Sequence, residues 1–283
     1  MKNLSVTSIV LSSVSLALSV ASLVVAIMLR SPESCVSREE RTDKAIEKTS
    51  TDDYLETVKG LNMKMVYVEG GTFQMGATSE HGDVASSNER PIHSVTLDSY
   101  YIGECEVTQA QWRAIMGNNP SSFTGDNNPV ECVSWHDAQS FCEKLSELTG
   151  RTYRLPTEAQ WEYAARGGNK SLGYKYSGSN NLKSVAWWYD NSNRQTRAVK
   201  QKQPNELGLY DMSGNVWEWC HDSYGDYTSS SQYNPQGPSS GRNRVLRGGG
   251  WYSYAPYCRV SGRGNRTPSY SDDDYGFRVV CLP

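Results

Sequence analysis

Phenylalanine is scarce in this chain, four residues against eight tryptophans and 18 tyrosines. Its aromatic surface therefore comes mostly from rings with a polar tip, which sit half inside and half outside a core. Together with 24 glycines, this predicts an irregular fold of short elements. No basic stripe occurs, and the formal charge is only -3; nucleic acid is excluded as a partner, because phosphate binding needs clustered cations. His81, His93, His136 and His221 stand apart without ligand spacing and read as surface or hydrogen-bonded groups. The seven cysteines form neither Cys-x-x-Cys nor a zinc pattern, although one or two disulfides are compatible with them. Cys142, on an apolar helical face, reads as a buried thiol.

The most informative absence is local. Between Gly248 and Arg278 there is no Lys, Glu, Gln, Met, Leu or Ile, while Tyr, Ser, Asp, Gly and Arg fill most positions. That is the composition of a binding surface: tyrosine supplies large amphipathic contact area for few frozen torsions, and the small polar residues supply adaptable hydrogen bonds. A plain polar loop would account for the glycines and serines. It would not account for Tyr252, Tyr254, Tyr257, Tyr270 and Tyr275.

At the other end, Leu4 to Leu29 carries no charge and is flanked by Lys2 and Arg30. At ~1.5 Å per residue such a helix spans the roughly 30 Å hydrocarbon core of a bilayer. A cleavable signal is the competing reading, but the run exceeds the usual length of a signal's apolar region, and Arg30-Ser-Pro-Glu-Ser-Cys35 offers no clear small-x-small site. Residues 1–30 are therefore expected to be a transmembrane anchor, with the bulk of the chain outside the cytoplasm or at the cell surface. Residues 31–60, charged and almost free of aromatics, read as a polar spacer, with a short helix around Ala45 to Val58. About 220 residues remain for one domain.

Within it, Met65 to Gly76 alternates apolar and polar residues about Gly70-Gly71, as a hairpin does, and His93 to Gly103 reads as a strand. Three helices announce themselves by their caps. Thr108 precedes Gln109 to Met116 with Gly117 behind it; Ser134 precedes a stripe of Ala138, Phe141, Cys142 and Leu145 ending at Gly150; Thr157 and Gln160 stand in capping-box spacing. Asp211-Met-Ser-Gly-Asn-Val-Trp-Glu218 brackets a glycine turn with two carboxylates. Such oxygens suit Ca²⁺, and a tight turn with both carboxylates facing water is the alternative.

Val66-Tyr-Val-Glu-Gly-Gly-Thr-Phe-Gln-Met-Gly76, Glu106-Val-Thr-Gln-Ala-Gln-Trp112, Arg154-Leu-Pro-Thr-Glu-Ala-Gln-Trp-Glu-Tyr-Ala-Ala-Arg-Gly167, Gly208-Leu-Tyr-Asp-Met-Ser-Gly-Asn-Val-Trp-Glu-Trp219 and Tyr275-Gly-Phe-Arg278 together resemble the formylglycine-generating enzyme, or sulfatase-modifying factor, family. The resemblance runs in order from Met65 to the C-terminus. It implies a single α+β domain over residues 61–283 with a C-type-lectin-like core, short strands, few helices and much irregular structure. It also implies a structural Ca²⁺ held by the side chains of Asp211 and Glu218 and the carbonyls of Gly214 and Val216. The family's second calcium segment is not clearly matched by Trp188-Tyr-Asp-Asn-Ser192.

The enzyme that names the family oxidises a cysteine with a pair of copper-binding thiols. Aligned on Gly248-Gly-Gly-Trp-Tyr-Ser-Tyr-Ala-Pro-Tyr-Cys258, the second thiol falls on Cys258 and the first on Ser253. A hydroxyl does not replace a thiolate for soft Cu(I), so copper is not expected and no catalytic residue is assigned unless Cys258 acts alone. Every residue type from Tyr252 to Arg278 can be reached from an Asn codon by changing its adenines. In this the stretch 251–276 resembles the variable region of proteins diversified by retroelements.

That resemblance implies a ligand surface of Tyr252, Ser253, Tyr254, Tyr257, Gly262, Gly264, Asn265, Arg266, Ser269, Tyr270, Asp272, Asp273, Asp274 and Tyr275. The expected function is membrane-tethered, non-catalytic binding of a protein or other macromolecular ligand, and the three consecutive aspartates favour a basic patch on it. The alternatives are a thiol oxidoreductase centred on Cys258 and a structural protein of a cell-envelope assembly.

Overall fold

The computed structural model describes residues 51–80 and 85–283. Five strands come first: β1 (Tyr54–Glu56), β2 (Met63–Val68), β3 (Gly71–Met75), β4 (His93–Leu97) and β5 (Tyr100–Gly103). Helices α1 (Gln109–Met116) and α2 (Trp135–Thr149), strand β6 (Tyr153–Arg154), helix α3 (Glu158–Ala165) and the one-turn α4 (Leu182–Val185) follow. The chain ends with β7 (Trp217–Ser223), β8 (Gln232–Tyr233), β9 (Arg244–Arg247), β10 (Arg263–Arg266), β11 (Tyr275–Gly276) and β12 (Val280–Cys281). The architecture is α+β, with few helices and three small sheets among the described residues.

The expected anchor over 1–30, and the spacer up to residue 50, lie outside the described residues. Among the described residues no helix is long and apolar enough to cross a membrane. The remainder of the stretch read as spacer belongs to the fold. Residues 54–56 are strand β1, paired antiparallel with β2, and Val58–Gly60 is a 3₁₀ turn, so no helix reaches Val58. Tyr54 explains this: its hydroxyl is 2.8 Å from that of Tyr153, and its ring packs on Tyr101 at 4.9 Å. One aromatic residue at a strand position outweighs a polar neighbourhood.

The hairpin expected at Gly70-Gly71 is instead a change of sheet. Strand β2 pairs with β5 in the antiparallel sheet β1-β2-β5-β12-β6, while β3 pairs with β4 in the sheet β3-β4-β8. A Cβ on Gly70 would lie 2.4 Å from the Leu97 carbonyl oxygen, so the crossing backbones require glycine there. The strand expected over 93–103 is accordingly two, β4 and β5, broken at Asp98-Ser99.

The helices start as their caps predict. Thr108, Ser134 and Thr157 each accept from the N–H three residues on, and Gln111, Asp137 and Gln160 each reach back to the cap's own N–H. Gly117 and Gly150 end α1 and α2 in the left-handed region, at φ +83° and +72°, where a side chain would be strained. α1 and α2 bury one stripe each, Cys142 included. α3 is different, since all eight of its residues are buried, Glu158 and Glu162 among them.

The chain's last segment plugs the core. Phe277 meets Trp112 and Phe141 at 6.1 and 5.4 Å, and a Cβ on Gly276 would lie 2.5 Å from the Val130 carbonyl oxygen. The disulfides thought compatible with the cysteine count are not formed among the described residues: Cys105, Cys132, Cys142, Cys220, Cys258 and Cys281 are all free thiols.

Candidate ligand-binding surface

The sheet β10-β9-β7-β11 supports the tyrosine-rich stretch. After β9 the chain turns through Gly248 and Gly249, at φ +89° and +73°. A Cβ on Gly249 would stand 3.0 Å from the Cys258 sulfur. Trp251 then drives inward. Only 8% of it is exposed; its N–H donates to the Asn215 carbonyl at 2.7 Å and its indole to the Asp273 carbonyl at 2.9 Å, and its ring packs on Phe123. Trp251 is thus a plug that pins the loop to both neighbouring segments rather than a surface residue.

From that pin the next side chains alternate. Tyr252 and Tyr254 point out, 52% and 58% exposed, and Ser253 between them points in, at 8%. The Ser253 hydroxyl accepts from the Gly250 N–H at 2.9 Å. Tyr257 and Tyr270 are also exposed, 50% and 41%. The aromatic surface extends beyond the stretch the sequence marked: Tyr189 packs on Tyr252 and Tyr254 with ring centroids 5.5 and 4.9 Å apart. Between the tyrosines runs a groove of about 410 Å³ lined by Tyr252, Tyr254, Tyr257, Gly264, Asn265, Arg266, Asp274 and Trp217. Trp217 packs beside Tyr257 at 6.1 Å, and a Cβ on Gly264 would touch its ring at 3.0 Å.

Of the fourteen positions expected on the ligand surface, Arg266, Ser269 and Asp272 are exposed with the four outer tyrosines, while Gly264, Asn265, Asp273 and Asp274 are partly covered. Ser253, Gly262 and Tyr275 are buried and are not open surface. Gly262 is hemmed by the Tyr257 and Arg259 carbonyls. Tyr275 pairs in β11 with Trp217 and packs on Trp219 at 5.7 Å. Composition marks a stretch and cannot say which side of a loop each member takes. Trp217 and Tyr189 were missed for the converse reason, one lying inside a framework motif and the other 63 residues before Tyr252.

Buried arginines hold this surface in place. Arg263 donates to both carboxylate oxygens of Glu158, at 2.6 and 2.8 Å, and to the Asn88 and Gly225 carbonyls. Arg247 bridges Glu158 and Glu162 at 3.1 and 2.6 Å. Arg259 clasps Glu89 at 2.7 and 2.6 Å. Burial alone would raise the Glu158 carboxyl, but Arg263 and Arg247 outweigh it and hold it below the usual carboxylate range. A larger cavity of about 540 Å³, lined by His93, Asp222 and Tyr227, shares only Arg263 with the groove.

Cys258 has no exposure at all. Burial pushes its thiol up to about 12, away from the reactive thiolate form. Glu218, from the expected calcium set, spends both oxygens on Arg278, at 2.7 Å each, and accepts from the Trp161 indole. Asp211 takes the Lys200 N–H on one oxygen, and its other oxygen is buried without a partner. Among the described residues no three His, Cys, Asp or Glu side chains form a metal site. Of the two expected carboxylate ligands, only Asp211 has a free oxygen, and that orphaned oxygen is a donor of the right kind for calcium.

Comparison with known proteins places this geometry among relatives. The model of the sulfatase-modifying factor enzyme 1-like domain matches residues 52–282. A chaperone protein LppX of Paenibacillus barcinonensis is 36% identical over 76% of this chain and 88% of its own. A formylglycine-generating enzyme of Streptomyces coelicolor is 31% identical over the same shares. Among solved structures, Treponema denticola variable protein 1 superposes with a TM-score of 0.75 at 36% identity, covering 83% of this chain and all of that one.

Proposed function

The chain belongs to the sulfatase-modifying factor enzyme 1-like family, and from that premise we propose that it uses the family scaffold for binding without chemistry, as a membrane-tethered display protein whose macromolecular ligand sits on the tyrosine face of residues 252–275. The observation that carries this reading is the cluster of Tyr189, Tyr252, Tyr254, Tyr257 and Tyr270, each 41–58% exposed, around a groove held by buried ion pairs. Large aromatics left in water fit a hot-spot surface, because tyrosine buries much area on binding for few frozen torsions. The likeness to a solved variable protein supports diversification of this face.

A pair of soft thiolates suits Cu(I), and this chain has one of the pair, Cys258, with a buried hydroxyl at Ser253 in place of the other. Calcium is proposed as a structural ion at the free oxygen of Asp211 with the carbonyls of Gly214 and Val216; Glu218, the fourth expected ligand, already has both oxygens on Arg278. A tether at residues 1–30 would present the domain outside the cytoplasm.

The experiment is genetic. The 3′ end of the gene and its surroundings are sequenced for a near-copy that differs only at adenines, beside a reverse transcriptase. Finding both supports a diversified ligand surface. Absence of both, together with copper retention or oxygen consumption in the presence of a cysteine peptide, turns the reading back to an oxidoreductase acting through Cys258.

A further inference from the structure

We infer that the groove between Tyr254, Tyr257 and Trp217 takes an arginine side chain of the partner, its guanidinium stacked on the aromatic walls and paired with Asp274. This names the ligand chemistry of the binding face and rests on that reading. One carboxylate of the groove has no side-chain donor. Asp274 lines it, no other side chain donates to its carboxylate among the described residues, and its neighbours Asp272 and Asp273 add charge of the same sign.

Neither local cation donates to Asp274. Arg263 is spent on Glu158 and two carbonyls. Arg266 donates to the Asn265 carbonyl and lies 5.9 Å from the Tyr270 ring. Asp272 is itself engaged, accepting from the Tyr270 hydroxyl at 2.8 Å and the Asp273 N–H at 3.0 Å.

An anionic ligand would therefore meet repulsion from Asp274, and a neutral one would cover a carboxylate without pairing it. A cation relieves both. Aromatic faces on the walls select a flat one: a guanidinium stacks on indole and phenol rings and still offers its edge N–H groups to a carboxylate, whereas an ammonium is a compact hydrated charge. The volume, about 410 Å³, holds a side chain with the peptide segment that carries it.

Asp274 also makes the site sensitive to pH. Burial first, then Asp272 and Asp273, raise its carboxyl to about 7, with its own backbone N–H and then Arg266 opposing. Protonation in mildly acidic solution removes the guanidinium's partner.

The test uses the full-length chain and two pentapeptide amides, Gly-Gly-Arg-Gly-Gly and its citrulline counterpart, which has the same shape without the charge. Binding is followed by the Trp217 indole N–H resonance, assigned with Trp217→Phe, and by calorimetry. The arginine peptide is expected to shift that resonance saturably at pH 8 and to bind about tenfold more tightly than the citrulline peptide, as one charge-assisted pair allows. About the same factor is expected to be lost at pH 5.5 and in Asp274→Asn.

Equal binding of the two peptides, or no movement of Trp217, overturns the assignment. So does a pH 8 affinity unchanged by Asp274→Asn in a variant with native melting temperature. If the arginine site fails while Tyr252→Ala or Tyr254→Ala still abolishes capture of a macromolecular partner, the display reading stands and only the ligand chemistry is wrong.

Discussion

Glu158→Gln tests the frame beneath the binding face. Glu158 opens α3 and, among the described residues, is the only carboxylate paired with Arg263, while it shares Arg247 with Glu162. Arg247 and Arg263 are buried. Glutamine keeps the shape but removes the charge, leaving one guanidinium with no anion in a dry interior; breaking such a pair from one side costs about 3–5 kcal/mol. For a domain of this size that is a fall of roughly 6–20 °C in melting temperature.

The dependence on pH has a defined sign. Glu158 titrates below its ordinary value in the fold, so its contribution is complete above the unfolded glutamate value and disappears as pH falls through the folded one. The gap between wild type and variant should be wide at pH 7 and close in acid. Thermal unfolding from pH 7 to pH 3, repeated for Arg263→Met and the double variant, makes the measurement. The double variant should be less damaged than the two single losses added together, because no charge is left unpaired. A melting point within about 2 °C of wild type for Glu158→Gln at pH 7, or strictly additive losses, would refute the reasoning.

Tyr254→Ala should weaken binding of a macromolecular partner by ~1–3 kcal/mol with the melting temperature nearly unchanged, since the ring is largely in water; a collapse of the fold would show it to be core. Calcium at about a hundred times its dissociation constant should add ~2.7 kcal/mol of stability, visible as a higher melting point than in chelator and abolished by Asp211→Asn; equal melting points in both buffers would remove the ion from the proposal. Wild-type protein loaded with Cu(I) should lose it fully to a competing chelator, because a lone buried thiol is a poor soft-metal site. Stoichiometric retention, read by elemental analysis, would restore the oxidase reading.

Much of the local structure was legible because it is written in neighbouring residues. Thr108 with Gln111, Ser134 with Asp137 and Thr157 with Gln160 are contacts across three positions, and Gly117 and Gly150 act through their own backbone angles. The hairpin at Gly70 was misread because its alternation is real but its partners are distant: β2 and β3 pair with β5 and β4, not with each other. Strand β1 hid in a polar stretch because its aromatic contacts come from residues Tyr101 and Tyr153.

The sequence by itself determined where the three main helices begin, which family scaffold the chain follows, and that its last stretch is rich in contact-forming side chains. Each of these depends on composition or on interactions within a few residues. Tertiary structure alone decided that Ser253, Gly262 and Tyr275 turn inward, and that Tyr189 and Trp217 join the exposed tyrosines. It also decided that Asp274 faces a groove without a side-chain donor while Glu158 and Glu218 are saturated by arginines. Whether a carboxylate is spent or available depends on charges brought from far along the chain, 105 residues away for Glu158 and Arg263, and that proximity exists only once the chain has folded.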